Sequence, residues 1–96
     1  MNVCEKDKNK IKQKELKKSI LKSFNYIENM DWINGKNELL NVENKYNEMI
    51  SDSSYIDENV YNINKLYILI QEYKTAIDSN DYELVRIKFI ALVSEI

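Results

Sequence analysis

Carboxylates are the side chains of this chain with the greatest scope for chemistry, and they come in three groups. Asp78, Asp81 and Glu83 sit together late in the chain, Asp52, Asp57 and Glu58 near its middle, and Glu38, Glu43 and Glu48 between residues 32 and 50. Such groups offer sites for a hard cation such as Ca²⁺ or Mg²⁺, yet none has the spacing or central glycine of a dedicated calcium loop. The five-residue steps of the third group advance about 500° along a helix, so its members do not share a face. Helix capping and solvation are the reading for all three.

Histidine is absent, which removes Ser-His-Asp and Cys-His nucleophiles, most zinc sites and the Glu-x-x-His pairs of di-iron bundles. Cys4 is the sole cysteine, so neither an internal disulfide nor a cysteine-only metal cluster is available. Its thiol, in a polar stretch, is read as incidental. Gly35 is the sole glycine, which leaves no Gly-rich phosphate cradle. The expectation is a protein that is not an enzyme and holds no metal or cofactor.

The elements that carry these residues read as helices. With no proline and one glycine, the chain lacks the punctuation of sheets and elaborate loops. Residues 1–10 alternate charge and Asn and are read as a flexible polar lead-in. From Ile11 to about Asn29, Leu16, Ile20, Phe24 and Ile27 recur at helical spacing, with Leu21 widening the stripe. Asp31 is placed to cap a second helix over about 32–50, where Trp32, Gly35, Leu39, Val42, Tyr46 and Met49 advance in three- and four-residue steps. Glycine on an apolar helix face points to close approach of a neighbour, near Phe24 to Ile27.

Ser51-Asp52-Ser53-Ser54 reads as a linker, with Ser54 and Asp57 as a capping box for a third helix over about 55–79. Ile56, Val60, Ile63, Tyr67, Ile70 and Ile77 mark its buried side, broadened by Leu66 and Tyr73. Residues 66–70 are apolar enough for a strand, but the long frame favours helix. Asn80 closes this helix, as Asn29 closes the first, and Asp81 opens a fourth over about 82–95.

The second half repeats the first at an offset of fifty residues. Leu16, Ile20 and Ile27 match Leu66, Ile70 and Ile77, and Trp32, Gly35, Leu39 and Val42 match Tyr82, Val85, Phe89 and Leu92. A helical hairpin cannot bury its apolar faces alone, so the expected fold is all-α: two antiparallel hairpins in one four-helix bundle over 11–96.

Three stretches carry a resemblance: residues 25–32 ending in Asp31-Trp32, the Lys45-Tyr46 pair, and residues 73–82 with their acidic turn. Over about residues 23–96 the chain resembles a family of small helical-hairpin proteins from clostridia and related spore-forming bacteria, a domain of unknown function. The resemblance implies a fold of helical hairpins and carries no activity. Family members usually begin with a membrane-spanning or exported segment, often have Trp at the place of Tyr46 and carry a His early in the third helix. This chain differs at each point.

Charge is divided unevenly. Residues 1–22 hold eight lysines against Glu5, Asp7 and Glu15, and the remainder is acidic enough to bring the net charge to −2. A basic arm of this kind can contact nucleic acid, anionic lipid or an acidic neighbour. The two-residue spacing of its first lysines suits a flexible arm better than a groove-reading face. Trp32, Tyr46, Tyr61 and Tyr73 are candidate aromatic anchors for a protein contact, and Lys14, Lys17 and Lys18 are candidates in the basic arm. The leading reading is a non-catalytic interaction or structural module with a protein partner or a second copy of itself. The alternative is a small regulator or inhibitor acting on nucleic acid, or on a nucleic-acid-handling protein, through the basic arm. No run approaches the roughly 20 apolar residues of a membrane span. The expected location is cytoplasmic, or membrane-associated or exported if an N-terminal segment has been lost.

Overall fold

Four helices follow one another, α1 (Glu5–Glu28), α2 (Trp32–Ile50), α3 (Ser53–Asp78) and α4 (Tyr82–Val93). The computed structural model describes residues 5–51 and 53–96, with side chains described for 11–51 and 63–96. Each helix packs against its neighbours in sequence, and α1 closes the ring against α4. The result is the expected all-α bundle of two hairpins. Residues 66–70 are helical.

Boundaries shift where polarity misled the sequence reading. α1 begins at Glu5, so helix extends into the expected lead-in, because Lys and Glu favour helical backbone whether or not anything is buried. Residues 1–4, Cys4 included, lie outside the described residues. α3 begins at Ser53, which puts Ser54 inside the helix, while the side chains of the expected capping box lie outside the described set.

Both hairpin turns are built on one plan. Asp31 caps α2 by accepting from the Asn34 amide at 3.2 Å, and Asp81 caps α4 by accepting from the Leu84 amide at 3.2 Å. The preceding residues, Met30 (φ 63°) and Asn80 (φ 57°), take the left-handed conformation that ends a helix. In the first turn the Met30 amide donates to Ile27 O at 2.9 Å and the Asp31 amide to Tyr26 O at 2.8 Å. The helix-ending residue is therefore Met30 and not Asn29, whose side chain instead donates to Asn25 O at 2.8 Å. Left-handed backbone suits Asn and strains Met. Met30→Asn is accordingly expected to stabilise the protein by about 0.5–1 kcal/mol in urea melts, whereas Asn80→Met should cost a similar amount.

The core holds the expected stripes. Leu16, Ile20, Ile27, Val42, Met49, Ile70, Ile77, Val85 and Leu92 are fully buried or nearly so. Two residues are corrected. Leu21 is 46% and Tyr67 51% exposed, because each stands on the outer flank of its helix while Ser23 and Tyr73 turn inward. Gly35 is buried against α1, where a methyl built on it would overlap Ile27 Cδ1 and lie 3.0 Å from Cγ1. Close approach explains the glycine, at the place the sequence indicated.

Fifty-residue equivalence extends to the packing. Ser23 and Tyr73 are equivalent positions, and their hydroxyls meet at 2.7 Å in the core. The seams between hairpins differ. Between α1 and α4, Phe24 stacks on Phe89 with centroids 3.9 Å apart. Between α2 and α3, the equivalent of Phe24 is Lys74, whose Nζ lies 2.9 Å from Glu43 Oε1. The Glu43 carboxylate beside it raises the affinity of that ammonium for its proton.

Candidate interaction face

Within each hairpin the two helices are tied by ion pairs at the same two positions. Lys45 of α2 reaches Glu15 of α1 at 3.5 Å, and Glu38 reaches Lys22 at 3.8 Å. In the second hairpin, Glu95 meets Lys65 at 2.9 Å and Glu72 of α3 meets Lys88 of α4 at 3.0 Å. Every charge has changed sign while every pair has kept its partner. Each pair has at least one solvent-exposed partner and contributes at most about 1 kcal/mol.

On the solvent side of these pairs the hairpins diverge. Hairpin one presents Lys17, Lys18, Asn34, Asn37 and Asn41, of which all five are exposed. At the equivalent places hairpin two has Tyr67, Ile68, Leu84, Ile87 and Ala91. Ile68 is 57% and Ile87 56% exposed, while Leu84 is half-buried against the core. Tyr67, Ile68, Ala76 and Leu84 line an open groove of about 350 Å³ between α3 and α4, with Glu72 and Lys88 in its wall. Hairpin one also exposes Ile11, Leu21, Met30, Ile33 and Leu40, the last two on one face of α2, but the opening between α1 and α2 is lined by Glu15, Lys18, Ser19, Lys22, Glu38 and Lys45. Isolated apolar residues are ordinary; a continuous apolar groove is not.

The aromatic candidates fall elsewhere. Tyr73 is fully buried and serves the core. Tyr46 is buried too, donating its hydroxyl to Ile63 O at 3.2 Å with its ring 6.0 Å from that of Tyr67. Trp32 is half-buried at the edge of the core, and the Tyr61 side chain lies outside the described residues. Lys14, Lys17 and Lys18 are exposed, and Lys17 and Lys18, three and four residues on, flank Lys14 on one side of α1. The basic stretch is thus a helix face over these residues and not an extended arm. Ile68 and Ile87 are exposed, and comparison of the two halves position by position, Lys18 against Ile68 and Asn37 against Ile87, marks both as lying outside the core stripes.

Of the carboxylates, Asp81 is a cap, and Asp78 and Glu83 are exposed. Glu38 is buried and accepts from Asn41 Nδ2 at 3.2 Å, while Glu43 pairs with Lys74. Among the described residues no three His, Cys, Asp or Glu converge as metal ligands. No helix among them is long and apolar enough to cross a membrane. No family model matches the chain, and comparison with curated proteins and with solved structures finds no match.

Proposed function

We propose that the chain is a non-catalytic helical interaction module that docks protein through the outer face of α3 and α4. The observation that carries this reading is the contrast between equivalent grooves, polar between α1 and α2 and apolar between α3 and α4. The fold needs only the inner stripes, so the first hairpin is an internal control for what the groove between two helices looks like when it faces solvent. Apolar side chains left half-exposed around a groove are the usual anchors of a protein contact.

A photo-crosslinking side chain placed at position 68, and separately at 18, tests the proposal in cells producing the protein. Protein adducts at 68 well above those at 18 are expected. Equal yields would overturn it. The pair Ile68→Lys and Ile87→Asn, which installs hairpin-one residues, is expected to change stability by less than about 1 kcal/mol. A loss above about 2 kcal/mol would assign those side chains to the fold instead.

A second reading rests on Lys14, Lys17 and Lys18, which face one way and form no ion pair among the described residues. It is that α1 contacts nucleic acid, or a nucleic-acid-handling protein, through phosphate or carboxylate groups. Retention on an anionic matrix that falls steeply with salt supports it, and retention unchanged by Lys→Gln at these positions removes it.

A further inference from the structure

We infer that the occupant of the α3/α4 face is a second copy of this chain, set on it about a two-fold axis that runs along the helices. This rests on the docking reading above and adds the identity of the partner. The charges are what select it. An axis along the helices places α3 of one copy over α4 of the other at the same level. Glu72 then faces Lys88 of the second copy and Lys65 faces its Glu95, while Ile68, between those two levels, lies opposite the partner's Ala91. Both pairs already stand side by side within one chain, at 3.0 Å and 2.9 Å, so each patch carries one cation and one anion at each level. Such a patch complements itself, and an acidic or basic partner gains nothing from it.

The size of the patch also fits. Ile68, Ile87 and Tyr67 are each more than half exposed, and with the groove walls they offer on the order of 500 Å² per copy, the lower end for a specific interface. The dimer is therefore a weak one, forming between about 10 μM and about 1 mM.

Sedimentation equilibrium over that range tests it. The wild-type mass should rise from 11.5 kDa toward twice that value. Glu72→Lys alone sets lysine against lysine across the axis and should hold the protein monomeric. Lys88→Glu alone sets glutamate against glutamate with the same effect. Mixing the two variants restores opposite charges and should restore the dimer, and the double reversal Glu72→Lys with Lys88→Glu should dimerise unaided. Circular dichroism should show all of them folded, because Glu72 and Lys88 are 40% and 32% exposed.

A wild type that stays at 11.5 kDa throughout, or single reversals that dimerise as the wild type does, would overturn the inference. Adducts to a different protein at position 68 would then leave the docking face standing with another occupant. Equal adducts at 68 and 18 would remove both.

Discussion

Phe24→Ala is expected to destabilise the bundle by about 3–5 kcal/mol in a urea melt, a large fraction of the whole stability of a domain of this size. The ring is 8% exposed, stacked on Phe89 at an interplanar angle of 8° and within 6.3 Å of Tyr82. It is the main aromatic bridge between α1 and α4, and its removal leaves a cavity that two neighbouring rings cannot fill without breaking their own contacts. The fifty-residue equivalent supplies the control. Lys74→Ala removes an ion pair with Glu43 whose ammonium faces solvent and should cost clearly less than Phe24→Ala. Equal losses from the two substitutions would show that the seams between hairpins are energetically alike, contrary to their packing.

Tyr73→Ala carries a similar expected loss, about 3–5 kcal/mol, and Tyr73→Phe a smaller one of about 1 kcal/mol. The Tyr73 hydroxyl meets Ser23 Oγ at 2.7 Å, and Ser23 Oγ donates to Ile20 O at 2.7 Å. With the serine proton engaged, the phenol is the donor. Burial pushes its pKa up from 10.0 to about 12, partly offset by the Ser23 hydroxyl. Below pH 10 the phenol is neutral in both folded and unfolded chains, and its contribution to stability is complete. Above that the unfolded chain loses its proton first, so stability falls as pH rises from about 10 to about 12, by about 2–3 kcal/mol. Tyr73→Phe should lack this part of the alkaline decline. Parallel stability curves for the two proteins across that range would show that the phenol ionises as easily inside the core as outside.

Much of this architecture was legible beforehand because helical periodicity reports burial directly. The stripes through Leu16 to Ile27 and Leu39 to Met49 were right, as were the caps Asp31 and Asp81 and the close approach at Gly35. Three features were not legible, each for a physical reason. Tyr73 and Tyr67 lie on neighbouring flanks of one helix, and their side-chain types do not say which turns inward; the small Ser23 opposite decides it. Met30 adopts a conformation its side chain disfavours, so residue preference pointed to Asn29. The full extent of the α3/α4 face was not legible because Ile87 is as apolar as a core residue, and its polar counterpart Asn37 is what marks the outside of the repeat.

A chain made of two similar halves faces a hazard that dissimilar halves avoid: a helix can find the wrong mate. Were α1 to take α4 as its hairpin partner, Glu15 would meet Glu95 and Lys22 would meet Lys88. The leftover helices would set Lys45 against Lys65 and Glu38 against Glu72. All four encounters are repulsive, whereas all four in the native arrangement attract. The reversed signs work as an address, steering each helix to its own mate during folding although no single bridge is strong.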